Sequence, residues 1–153
     1  VRRTSIETDV AGERTEVSEL VGERRPDLVL LNEGDLTYAK IRLDDRSLAT
    51  VRESVASIES SLARALCWSA AWDMTRDAQL SAGDFVTMVL NGLGQETDDT
   101  AAKQLPVYVE LAINQFAHPS KRADLRVRWE QGFRRLLEGA APGRPIDARR
   151  SMV

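Results

Sequence analysis

Residues able to do chemistry are few in this chain, and their spacing suits little of it. There is one histidine, His118, and one cysteine, Cys67. Zinc hydrolysis by a peptidase needs paired histidines a helical turn apart and a nearby carboxylate, so that metal and general base face one cavity. His118 and Cys67 together cannot supply a conventional structural zinc site, and a serine triad would have to rest on His118 with no nucleophile-elbow pattern to accompany it. His118 instead reads as part of a helix-ending His-Pro-Ser turn. Cys67 lies among apolar residues of an expected helix, where thiolate formation is disfavoured. Gly92-Leu93-Gly94 lacks the third glycine of a dinucleotide fingerprint and follows a helical pattern rather than a strand.

Carboxylate pairs do occur, at Asp44-Asp45 and Asp98-Asp99. Both pairs stand where helices are expected to begin, and acids there offset unpaired amide hydrogens and the positive end of the helix dipole. Trp68 and Trp72 are one helical turn apart and share a face, which suits core packing first and a ligand-stacking face second. The sequence therefore nominates no catalytic residue and no metal ligand, and it leaves substrate-binding residues unassigned.

The elements that would position these residues change character along the chain. Ser5 to Val10 and Glu13 to Leu20 alternate apolar or β-branched with polar residues around Ala11-Gly12, the pattern of a hairpin. Leu28 to Leu31 is a short apolar run, Asn32-Glu33-Gly34-Asp35 a turn, and Thr37 to Leu43 a further alternating strand. After Asp44 the period lengthens, with Leu48, Val51, Val55 and Ile58 on one helical face, ending near Ser60-Ser61. Arg64 to Leu80 follows as a helix apolar on almost every side, which wants neighbours all around it.

Ser81 and Asp84 open a third helix that Gly92 and Gly94 stop, and Asp98-Asp99 open a fourth that Pro106 should kink or split. Pro119-Ser120 start a fifth, with Leu125, Trp129, Phe133, Leu136 and Leu137 as its stripe and Gly139 as its end. The expected fold class is α+β: antiparallel strands over 1–44, then an antiparallel, solenoid-like helical array over 45–139, then a flexible tail over 140–153.

With 153 residues, 42% hydrophobic and 29% charged, the chain is long and apolar enough for one ordinary domain. A net charge of -3 with interleaved basic residues argues against nucleic acid. Arg122, Arg126, Arg128, Arg134 and Arg135 make a locally basic helix that reads as a solvated face. One cysteine precludes an intrachain disulfide and fits a reducing, cytoplasmic setting. No apolar run approaches the roughly 20 residues that span a bilayer, so no membrane is expected.

The stretch Leu31 to Asp44, with Asn32, Tyr38, Arg42 and Asp44 across its turn and strand, resembles the junction between β-sandwich and helical C-terminal domain in zinc aminopeptidases of the aminopeptidase N family. Arg64-Ala65 and the apolar positions to Leu80, then Leu90, Leu93, Glu96 and Asp98, are similar to the start of that family's C-terminal domain. The Arg-Ala-Leu, Trp-Asp-Met-Thr-Arg-Asp and Glu-Thr-Asp runs resemble the actinobacterial branch. The likeness extends from Val1 to Gly143. It departs at Ala70, where the family often has Asp, and at Pro106, and it fades after Gly143.

What the resemblance implies is a non-catalytic part of a peptidase that removes N-terminal residues from peptides. The family's glycine-containing exopeptidase motif and its His-Glu-X-X-His zinc helix do not occur in this sequence. Zinc would belong to the parent enzyme and no cofactor to this chain, whose partners would be the catalytic domain and, through the parent, peptides. The helical part would cover the active-site chamber. Arg64 to Leu80 would be an inner helix with missing neighbours, its apolar face open to solvent or buried against another copy of the chain. A freestanding helical interaction module is the alternative, with that apolar helix as its recognition face.

Overall fold

The structure, a computed structural model, describes residues 4–139; the tail expected over 140–153 lies outside the described residues. Five α-helices order the described chain: α1 (Asp45–Ser54), α2 (Ser61–Arg76), α3 (Ala82–Gly92), α4 (Asp99–Leu111) and α5 (Arg122–Gly139). Contacts run from α1 to α3 and α3 to α5, and separately from α2 to α4, with α3 also touching α2 and α4. The helices thus alternate between two layers, the packing of a short antiparallel array. The fold among the described residues is mainly helical.

The starts of the helices follow the expected capping chemistry. Asp44 accepts from the amides of Arg46 and Ser47 at 2.9 and 3.0 Å, and Asp98 from Ala101 at 2.8 Å. Ser81 accepts from the Asp84 amide at 3.0 Å and donates to its carboxylate at 2.7 Å. Each cap satisfies an amide that the first helical turn leaves without a partner.

The strands expected over the first 44 residues are not seen: no strand occurs among the described residues, and Ser18–Leu20 is a short 3-10 turn. A strand is stable only when its backbone groups pair along a ladder, and the alternating runs find no such partner here. Residues 4–27 bury nothing fully. Further on, a strap lies along the helices. Ile41 and Leu43 are buried, the Val29 amide donates to Ser47 Oγ at 2.9 Å, and Lys40 pairs with Asp77.

Helix α2 begins and ends earlier than its apolar run. Ser60 caps it, accepting from the Ala63 amide at 3.2 Å. At the other end Ala78 takes a left-handed conformation (φ 59°), the Gln79 amide reaches back to the Met74 carbonyl at 2.8 Å, and that of Ala78 to Thr75 at 3.2 Å. This is a Schellman motif built on alanine, with Leu80 folded back into the core.

The expectation of an open apolar face on this helix is overturned. Leu66, Cys67, Trp68, Ala70, Ala71, Trp72 and Met74 are all buried by the chain's own residues. The exposed edge is a narrow stripe through Leu62, Ser69 and Arg76, spaced seven apart, with Ala65 and Asp73 beside it. An apolar face for self-association or for module-type recognition is therefore absent from α2.

Helix α3 ends at Gly92, as expected, and the glycine also lets the helix approach its neighbours: a Cβ there would lie 2.6 Å from Val55 Cγ1 and 2.7 Å from Trp68 Cη2. The chain passes on into a 3-10 turn, Leu93–Gln95, which contains Gly94. Pro106 neither splits nor ends α4, which runs through it to Leu111 and on into a π-helical turn, Ala112–Phe116. Helix α1 likewise gives way to a 3-10 turn, Val55–Ser57, before the expected end.

Candidate functional site

The most concentrated polar chemistry in the described chain is buried, where α2 begins beside the turn that leads into α4. Arg64 is on the first turn of α2, Trp68 one turn further, and Glu96 just before the Asp98 cap. All three nitrogens of the guanidinium are engaged. Nε donates to Glu96 Oε1 and Oε2 at 3.1 and 3.2 Å; Nη2 donates to Glu96 Oε1 at 2.8 Å and to Thr97 Oγ1 at 2.6 Å. Nη1 donates to the carbonyls of Ile58 and Glu59 at 2.8 and 3.1 Å.

Glu96 in turn accepts from the Trp68 indole at 2.9 Å and from the Thr97 and Asp98 amides at 2.8 and 3.0 Å. Burial works to raise its pKa, but the bonds from Arg64, Trp68 and the two amides outweigh that and hold it at about 2. The same carboxylate raises the pKa of Arg64. A carboxylate this firmly ionised has no proton to give and little affinity for one, so it cannot serve as a general acid or base near neutral pH. The cluster ties α2 to the start of α4 and leaves no donor of Arg64 for a ligand.

The aromatic pair does not form a ligand platform. Trp72 stacks on Tyr108 (centroids 4.4 Å apart, planes at 5°), with Phe85 tilted beside it and Phe116 edge-on at 5.8 Å. The π-helical turn after α4 is what carries Phe116 there. Trp68 faces Val55 and Gly92 while its indole is held by Glu96. Both rings are core, and the two tryptophans do not share an open face.

Cys67 is fully enclosed, and burial pushes its thiol up to about 12, far from a nucleophilic thiolate. His118 is exposed and caps the turn before α5: its Nδ1 lies 2.9 Å from Ser120 Oγ and accepts from the Ser120 amide at 3.3 Å. Among the described residues no group of three or more His, Cys, Asp or Glu side chains is placed to hold a metal ion. Nor is any helix there long and apolar enough to cross a membrane.

On the surface, Arg122 donates to the Ala117 carbonyl at 3.1 Å and Arg126 to Asn114, while Arg128 and Arg135 flank an open depression of about 310 Å³ between α3 and α5. Its floor is Leu90 against Gly132, where an added Cβ would meet Leu90 Cδ2 at 2.6 Å. The arginines form an exposed face and converge on no buried polar group. The sequence reading had missed the Arg64–Glu96 pair. Its only signals were an arginine opening an otherwise apolar helix and a glutamate two residues before a helix cap.

This geometry can stabilise a helical array but holds no assembled nucleophile, general base or metal centre among the described residues. Against known proteins, the chain is 48% identical over 143 residues to Aminopeptidase N of Streptomyces lividans, a match covering 94% of the chain and 17% of that relative. The chain therefore spans about a sixth of the relative's length. Residues 28–146 match the ERAP1-like C-terminal domain family, and the chain belongs to that family.

Proposed function

We infer that this chain is a non-catalytic part of an aminopeptidase N-like zinc peptidase that removes N-terminal residues from peptides. What supports the reading is the 48% identity to Aminopeptidase N along nearly all of this chain. In the parent, 1–44 would be the end of a β-sandwich domain and 45–139 the start of the helical C-terminal domain. The helical array would pack against the catalytic domain, cover the active-site chamber, exclude water and limit which peptides enter. The single thiol motivates a cytoplasmic setting for the parent.

The donor set here does not fit the parent's zinc. His118 is engaged with Ser120 on the surface, and Cys67 is sealed in the core, where burial pushes its thiol up to about 12. Metal and hydrolysis are accordingly assigned to the catalytic domain, and no catalytic step to residues of this chain.

The test has two arms. The purified chain, incubated with zinc and aminoacyl reporter substrates, should give no turnover; metal-dependent turnover that survives removal of contaminating peptidases would sink the assignment. In the complete polypeptide, deleting the helical array should alter kcat/KM for long peptides more than for single aminoacyl reporters. An equal effect on both would remove the access-limiting role.

A further inference from the structure

The arginines of the first two helices are all matched: Arg46 and Arg52 of α1, and Arg64 and Arg76 of α2, each pair with a carboxylate. On α5 the pattern changes. Arg122 and Arg126 are held by the Ala117 carbonyl and by Asn114, but Arg128 and Arg135 are exposed and make no ion pair or hydrogen bond among the described residues. Seven residues apart, these two stand on one side of the helix, roughly 10.5 Å from each other along its axis.

Both border the depression of about 310 Å³ between α3 and α5. Gly132 lies between them on the same side, four residues after Arg128 and three before Arg135. The ridge that a side chain would raise there is missing, and the wall of α5 reads arginine, notch, arginine over an apolar floor of Leu90 and Leu136. No acid lines the depression, and Asp84, in the first turn of α3, is already taken by Arg52 and Ser81. The complementary shape is an apolar side chain flanked by two carboxylates about 10 Å apart, which one face of an amphipathic helix presents at i, i+3 and i+7.

We propose that this notch docks an acidic helix of a partner protein, its apolar side chain seated over Leu90 and Gly132 and its carboxylates paired with Arg128 and Arg135. A second copy of the chain does not supply that occupant, since none of the five helices carries two acids seven residues apart. Nucleic acid fits less well, because the floor is apolar and the chain carries a net charge of -3. The proposal goes beyond the peptidase reading and does not depend on it.

Fluorescence anisotropy with a labelled, end-capped helical peptide tests it, the probe being alanine and glutamine with one Glu, Leu, Glu stripe at i, i+3 and i+7. Arg128→Gln with Arg135→Gln should weaken binding by about 5-fold or more and leave the melting temperature unchanged, because both side chains are exposed. Replacing the two glutamates of the peptide by glutamine should weaken binding as much, and combining the two changes should add nothing further. Lys121→Gln with Arg134→Gln removes the same charge from exposed positions that do not line the depression, and binding should stay within about 2-fold. Equal loss from both arginine-containing pairs overturns the proposal, as does absence of saturable binding to the native chain. Binding that vanishes in the complete polypeptide also overturns it, by making the notch an internal seam, and equal competition by a DNA duplex overturns it in favour of nucleic acid. No substrate is turned over in this assay, so a complete polypeptide that binds the peptide but lacks aminopeptidase activity rejects only the functional assignment, and one that is active without binding rejects only the docking site.

Discussion

Arg64 and Glu96 bring opposite charges into a place water does not reach, and the pair is tolerable only because each hydrogen-bonding group finds a partner. Removing one member leaves the other charged, buried and unmatched. Glu96→Ala should therefore cost about 3–5 kcal/mol near neutral pH, measured by urea unfolding. The pH dependence has a definite direction. In the unfolded chain Glu96 titrates near its ordinary value of 4.5, in the fold near 2, so as the pH falls the unfolded chain takes up the proton first. The contribution of the pair is whole above about pH 4.5 and is lost progressively between 4.5 and 2. Melting curves across that window should fall for the native chain, and the gap to Glu96→Ala should narrow; a constant gap would show that Glu96 is not ionised in the fold.

Helix ends show how far side-chain chemistry can be read along the chain and where it stops being legible. Asp44, Ser81 and Asp98 were readable as caps because a cap depends on residues within three positions of it. The end of α2 was not readable, since its stop is an alanine forced into the left-handed region and no glycine announces it. Ala78→Gly should relieve that strain and raise stability by about 1 kcal/mol, read as an increase in melting temperature. Gly92 was readable as the end of α3 but not as a packing site, because that role depends on Val55 and Trp68, which are distant in sequence. Gly92→Ala improves local helix propensity, yet it drives a methyl group into two rigid neighbours and should destabilise by about 1–3 kcal/mol in the same assay. The Arg64–Glu96 pair was hidden for the same reason, its partners being 32 residues apart. The early strands are not seen among the described residues, because alternation reports a suitable pattern, whereas a strand also requires a neighbour.

For the molecule as a whole, the helical array is closed by its own residues around α2, and the segment before it contributes unequally. Deleting the residues before Arg25 should leave the melting temperature within about 2 °C, since none of the described residues there is buried. Deleting everything before Asp44 removes Ile41 and Leu43 from the core and should cost about 2–5 kcal/mol for each buried side chain. Equal effects of the two deletions would mean that the strap does not hold the array together. The alternation of helices between two layers has a further, kinetic consequence. The principal packing partners are never more than two helices apart in order, so little chain must be closed before a native contact rewards the closure. Such a topology should fold on the order of microseconds to milliseconds and can do so progressively as the chain leaves the ribosome, each new helix finding its partners already made.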